Sequence, residues 1–253
     1  MNRPVYPGVA GLSSSVFCKK EPRNTKYIFA EIVDYVLSRI KPDAAPVTFV
    51  QVGANDGVRG DPISRHVIQG GWRGLLVEPV PAAMERLRAH YDACPGLVFR
   101  GEAIWSEEGR RDFHIVRGED VLSSFSLPTI MMHELKYDDL PGMIETVPVA
   151  TRRLDSLCRE TGFETADLLV VDVEGCDDIV LRTFDFDRHR PSAILFEHVA
   201  LSADASQAIG AFLEERGYAI IYDRHDCLCL LGERFEPQLV EFLERVVTAA
   251  RDN

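Results

Sequence analysis

The stretch FVQVGANDG, Phe49 to Gly57, narrows most what this chain can become. Thr48, Phe49, Val50 and Val52 are β-branched or aromatic, follow a break at Pro46 and run into Gly53 and Gly57. That pattern predicts a buried parallel strand ending in a tight loop. In an open α/β sheet, ligands bind in the crevice beyond the carboxyl ends of the strands, where the strand order reverses. Glycine there lets the backbone come close to the ligand. Two glycines also serve as ordinary punctuation between strand and helix, so the second half of the unit has to decide. Asp61 and Pro62 read as the cap and first position of a helix, Gly70 and Gly71 close it, and Gly74 to Val77 is a second apolar run ending at Glu78. Glu78 thus stands about 20 residues beyond the loop, the spacing at which an acid ending the second strand meets ribose hydroxyls. A carboxylate accepts hydrogen bonds from both vicinal hydroxyls, which makes Glu78 the ribose candidate.

The 253 residues suffice for one large α/β domain, expected over 47–253 and preceded by an irregular, Pro/Gly/Ser-rich segment and a helix within 1–46. That helix is expected from a cap at Asn24 to Ile40, as a cover beside the crevice. Hydrophobic residues make up 46% and charged residues 27%, the balance of a globular chain. A formal net charge of −12 argues against a nucleic-acid partner, which needs a basic face, and against a membrane-surface role. The six cysteines form no CxxC pair and no clustered spacing with histidine, so they read as reduced packing residues of a cytoplasmic protein. Neither a leader-type N-terminal pattern nor an apolar run of about 18 residues is visible.

Beyond Glu78, a helix carrying Met84 and Leu87 is expected, then a strand at Leu97–Arg100 with Ala103 and Ile104 beyond it on the adenine side of the crevice. Short strands are expected at Asp112–Val116 and Thr146–Val149, with Ser123–Gly142 an insertion or lid between them and a helix over Thr151–Arg159. Two further apolar runs end in ionisable groups. Leu168–Val173 carries Asp172 and leads into Glu174, and Ala193–Phe196 runs into Glu197 and His198. Charge at the end of a buried strand is costly unless it has a task. A helix over Ala203–Arg216 follows, then strands at Tyr218–Tyr222 and Cys227–Leu231 as a hairpin, and a last helix from Pro237.

Alternating strands and helices closed by a hairpin fit the seven-stranded sheet of S-adenosylmethionine-dependent methyltransferases better than a six-stranded dehydrogenase sheet. FVQVGANDG, LLVEPVP (Leu75–Pro81), LLVVDVEG (Leu168–Gly175) and ILFEH (Ile194–His198), in this order, resemble the FkbM-type methyltransferase family over roughly Val47 to Leu231. The resemblance implies an α/β, Rossmann-like class I methyltransferase fold, S-adenosylmethionine as donor, and O-methylation of a hydroxyl on a small natural product or sugar. Asp177 departs from it, standing where many relatives carry Glu.

The cofactor-binding candidates are Gln51, Gly53, Ala54, Asn55, Asp56 and Gly57 in the first loop, Glu78 and Pro79, Ala103 and Ile104, and Asp172. Methyl transfer to a hydroxyl needs alignment, exclusion of water and a base for the proton. Asp172 and His198 are the candidates nearest the chemistry, with Glu174 and Glu197 fixing substrate or backbone. Three alternatives stay open at this point: an N- or carboxylate methyltransferase acting on a peptide or small acid, Mg²⁺ assistance held by these acids with His198, and a non-catalytic cofactor-binding protein.

Overall fold

In the computed structural model, which describes residues 25–41 and 45–251, the apolar runs become the inner strands of one sheet. Helix α1 (Thr25–Leu37) leads to strand β1 (Thr48–Val52), helix α2 (Ser64–Gly70), strand β2 (Arg73–Val77), helix α3 (Pro81–His90) and strand β3 (Leu97–Arg100). Strands β4 (Ala103–Ile104) and β5 (Gly109–Val116), short helices α4 (Leu127–Met131) and α5 (Leu140–Met143), and strand β6 (Ile144–Arg152) follow. Then come α6 (Leu154–Thr161), β7 (Leu168–Val171), α7 (Asp177–Arg182), β8 (Ala193–Glu197), α8 (Ala203–Glu214), β9 (Tyr218–Tyr222), β10 (Asp226–Leu231) and α9 (Pro237–Arg251).

The main sheet has seven strands in the order β3-β2-β1-β7-β8-β10-β9. All its pairings are parallel except those of β10, which runs antiparallel to both β8 and β9. The expected mostly parallel sheet with an antiparallel C-terminal hairpin is present. Its order reverses between β1 and β7, so the loops after these two strands face each other across the crevice.

Side chains alternate along each strand, which divides the core between the two faces. Phe49, Leu168, Val170, Leu228 and Leu230 pack on one face with α1, α2 and α9, while Val50, Val52, Leu169, Val171, Cys227 and Cys229 pack on the other with α6, α7 and α8. Strands buried on both faces must be apolar throughout, the reason LLVV and AILF read as continuous runs. The helix expected to be capped by Asp61 and to begin at Pro62 starts later, at Ser64 with Ile63 in the cap position; Asp61 instead folds the turn before it, its Oδ1 accepting from the backbone N–H of Ile63 at 2.7 Å and of Ser64 at 2.9 Å.

Helix α1 is an integral part of the first face: Ile32 and Val36 are buried in the same core as Trp72, Leu243 and Val247. It lies over the sheet, and none of its described side chains lines the crevice described below. The expected cap at Asn24, the irregular segment before it and Cys18 lie outside the described residues.

The region between β3 and α6 differs from the expected layout. Strands β4, β6 and β5 form a second sheet of their own, with β5 and β6 antiparallel from Gly109 opposite Thr151 to Val116 opposite Ile144. Because β6 pairs on to Arg152, beside Ile104 of β4, the helix expected from Thr151 starts at Leu154. Val116, Leu122, Ile130 and Leu140 give this insertion a small core, and Phe113 ties it to Val80 and Ala83 at the start of α3. Five cysteines are free thiols, and four of these are buried. Among the described residues no helix is long and apolar enough to cross a membrane.

Candidate active site

The loop after β1 is shaped by contacts that only its particular residues allow. Gly53 has φ +81°, and a Cβ there would lie 1.7 Å from the Asp172 carbonyl oxygen, so the loops after β1 and β7 approach each other only because this residue is glycine. Asn55 is also left-handed, at φ +42°, which turns its backbone N–H towards Glu78. The Glu78 carboxylate accepts from Asn55 N–H and from Val80 N–H, both at 2.8 Å. Burial pushes the Glu78 carboxyl up to about 7, with these two N–H groups pulling the other way.

A cavity of about 260 Å³ opens between the two loops. Nine of the residues singled out from the sequence line it: Gly53, Ala54, Asn55, Glu78, Pro79, Ala103, Ile104, Asp172 and Glu174. Gln51, Asp56, Gly57, Glu197 and His198 do not. Gln51 is buried within the sheet and donates from Nε2 to Asp61 at 3.2 Å. Asp56 folds the turn instead, its Oδ1 accepting from Val58 and Arg59 N–H at 2.9 Å each. A Cβ at Gly57 would lie 2.8 Å from the Tyr91 ring, so that glycine serves packing.

The sequence reading missed the wall that the insertion supplies. Phe113 of β5 and Phe125 line the cavity, with ring centroids 4.9 Å apart and edge to face, and Phe125 in turn meets Trp105 at 4.9 Å. Arg59 and Asp120 line it as well. Arg59 pairs with Glu119 at 2.9 Å, Arg86 pairs with Asp120, and Asn55 Nδ2 donates to Asp120 at 3.3 Å, closing the rim above the first loop. Cys176 also faces this space, its thiol pushed up to about 12 by burial and by Asp177. The one signal in the chain was aromatic residues spaced along 105–125, which has no meaning until β5 folds back beside β4.

Opposite the Glu78 end, carboxylate oxygens of Asp172, Glu174 and Glu197 all lie within 4.8 Å of one another. Asp172 is exposed to the open cavity. Desolvation and the charges of Asp226 and Asp61 push its carboxyl up to about 6. Glu174, left-handed at φ +54°, is pushed up to about 7 by burial and by Asp172, with Lys136 opposing. Glu197 is pushed up to about 9 by burial, then by Asp172, Glu174 and Asp226, and its Oε2 has no hydrogen-bond partner. Asp177 lies fully buried at the start of α7, neither carboxylate oxygen partnered, and burial and the charges of Asp172 and Glu197 push its carboxyl well above the usual range.

His198 turns away from this group. Its Nε2 meets the Asp223 carbonyl oxygen at 2.9 Å and its ring packs edge-on against Tyr222. Adjacent residues at a strand end point to opposite sides, so Glu197 and His198 cannot both face the acids.

Sheet order, switch-point cavity, a strand-end acid at one side and clustered acids at the other define a Rossmann-like protein of the class I methyltransferase type. The chain belongs to the FkbM methyltransferase domain family, whose model matches residues 51–220. It is 30% identical over 170 residues to the 2-O-methyltransferase NoeI of Sinorhizobium fredii (strain NBRC 101917 / NGR234), a match covering 64% of this chain and 65% of that protein. The chain therefore spans just under two thirds of that relative's length. A crystal structure of the FkbM methyltransferase of Methylobacillus flagellatus KT has a TM-score of 0.47 and 16% identity, covering 73% of this chain and 43% of that one. The S-adenosylmethionine-bound fibrillarin of Aeropyrum pernix has a TM-score of 0.40 and 13% identity, covering 74% and 66%.

Proposed function

We propose that this protein is an S-adenosylmethionine-dependent O-methyltransferase acting on a hydroxyl of a small natural product or sugar. The observation that carries the reading is one cavity with a diol-accepting carboxylate, Glu78, on one side and the Asp172 and Glu174 carboxylates on the other. The residues present fit the donor. Glu78 keeps free lone pairs for two ribose hydroxyls, and Ala103, Ile104 and Phe125 offer an apolar slot for a base. The name of the relative NoeI, a 2-O-methyltransferase, supports a hydroxyl as acceptor.

When bound, the donor supplies a methyl group on a positively charged sulfur that leaves without further activation. The chain then has three tasks: to align the acceptor oxygen behind that methyl, to exclude water and to take a proton. A carboxylate oxygen of Asp172 or Glu174 would take the acceptor hydroxyl's proton as the methyl group is transferred. With carboxyls held near 6 and 7, these two are substantially ionised at neutral pH yet far more basic than ordinary acids. Glu197, held near 9, keeps its proton there and does not serve as the base. His198, tied to the Asp223 carbonyl, supports the β10 side of the site rather than the chemistry.

Labelled methyl transfer from S-adenosylmethionine to a panel of hydroxylated acceptors tests this directly. Incorporation that falls about 10²-fold or more in Asp172→Asn supports a hydroxyl acceptor, whereas turnover unchanged by that substitution points to an amine or carboxylate acceptor, which needs no such base. Chelation tests the alternative in which Mg²⁺ is held by Asp172, Glu174 and Glu197, whose carboxylate oxygens lie within 4.8 Å of one another. Loss of turnover on chelation, restored by Mg²⁺, would transfer the role of the base to the ion. Donor binding without transfer to any acceptor would support the non-catalytic alternative.

A further inference from the structure

Glu174 holds a left-handed backbone conformation, φ +54°, that is strained for a non-glycine residue, so something must fix it. Its fixing point is Ser124, fully buried in the insertion. Ser124 Oγ donates to the Glu174 carbonyl at 2.7 Å and accepts from Ser126 N–H at 2.9 Å. The Ser124 backbone is locked in turn, exchanging both of its hydrogen bonds with His114 of β5, at 3.0 and 3.1 Å. One residue on, Gly175 is left-handed at φ +91°, and a Cβ there would lie 2.5 Å from Thr129 Oγ1. That hydroxyl itself donates to Ser126 Oγ at 2.7 Å. The insertion is therefore clasped onto the acid-bearing loop through Ser124, Ser126 and Thr129.

We infer that Ser124 is a positioning residue: by holding the Glu174 peptide left-handed, it keeps the Glu174 carboxylate beside those of Asp172 and Glu197. No distance from Ser124 to the cavity chemistry is needed for this, since it acts only through the peptide it grips. The inference rests on the methyltransferase reading for its effect on turnover, but the placement of Glu174 is measurable without any acceptor. Released from the clasp, the Glu174 backbone relaxes towards right-handed or extended geometry and its side chain leaves the group. The groups that face it are Asp172, Glu197 and Asp177 on the acidic side and Lys136 on the basic side.

The experiment compares Ser124→Ala, Ser124→Cys and Ser124→Thr with the unaltered protein. The readouts are donor affinity by calorimetry, kcat and KM for the acceptor, and titration of ¹³C-labelled glutamate side chains by NMR. Ser124→Cys fills almost the same space with a weaker donor, so it keeps the fold if alanine does not. Ser124→Ala and Ser124→Cys should leave donor affinity within about twofold, lower kcat about tenfold with little change in KM, and bring the Glu174 titration down by roughly one pH unit as it leaves its like-charged neighbours. Ser124→Thr, which keeps the hydroxyl, should behave as the original protein. An unmoved Glu174 titration in Ser124→Cys overturns the inference even if turnover falls. Loss of donor binding, cooperative unfolding and turnover together in all variants also overturns it, making Ser124 a structural clasp only. If no acceptor is ever methylated, the titration still decides the role of Ser124, and it is the functional proposal that fails.

Discussion

Glu78→Gln separates the two tasks assigned to Glu78, because the substitution changes one atom and leaves the volume intact. In the protein the two carboxylate oxygens accept from the backbone N–H groups of Asn55 and Val80, both at 2.8 Å, in a site only 5% exposed. A glutamine offers one acceptor and turns its NH₂ towards the other N–H, so one buried donor loses its partner. That costs about 1–3 kcal/mol of stability. A ribose diol also loses a charged acceptor, worth about 1.5–3 kcal/mol, which corresponds to roughly 10- to 150-fold weaker donor binding. Denaturant unfolding measures the first quantity and calorimetric titration with S-adenosylmethionine the second. Because burial holds this carboxyl near 7 in the empty site, donor affinity of the original protein should rise as pH increases through 7 and the ionised acceptor becomes available, and this slope should vanish in Glu78→Gln. A variant that loses stability yet binds the donor with unchanged affinity would show that Glu78 only ties the loop to α3, and would refute its ribose role.

Gly53→Ala should abolish donor binding and lower the melting temperature, since its Cβ meets the Asp172 carbonyl at 1.7 Å and its φ of +81° is strained for alanine; near-normal melting and binding would contradict the close approach of the two loops. Glu197→Gln should flatten the pH dependence of stability. A carboxyl raised from 4.5 to about 9 keeps its proton in the folded state over a range where the unfolded chain has lost it, so folding stability falls as pH rises across that window, and the amide removes this contribution. Melting curves between pH 5 and 9 with the same slope in both proteins would refute the assignment. His198→Ala should lower kcat far less than Asp172→Asn, because its Nε2 is engaged by the Asp223 carbonyl; equal losses in steady-state rates would return the histidine to the chemistry.

The parts of this fold that were legible in the sequence are those governed by local pattern. Runs such as LLVV are apolar because both sheet faces are buried there, and the glycines and acid of the β1–β2 unit follow from the turn and the strand end. The second sheet was not legible, because β4, β5 and β6 find each other only in three dimensions. Consequently the aromatic residues spaced along 105–125, Phe113 and Phe125 among them, carried no meaning until β5 folded back, and Asp120 just beyond β5 entered the cavity with them. Gln51 and His198 show the opposite failure. Each sits in the right motif but points to the wrong side, Gln51 into the sheet and His198 towards Asp223, and only the strand phase determines that. The Ser123–Gly142 stretch, expected as an insertion or lid, is an insertion whose start is bonded to the acid-bearing loop through Ser124.

The proposed function stands or falls on whether the cavity between the loops after β1 and β7 takes a sulfonium methyl donor. Calorimetric titration of the purified protein with S-adenosylmethionine, with NAD titrated in parallel, tests it most directly. One donor should bind per chain, with weaker binding in Glu78→Gln, and NAD should not bind. Binding of NAD with no binding of S-adenosylmethionine would contradict the proposed function.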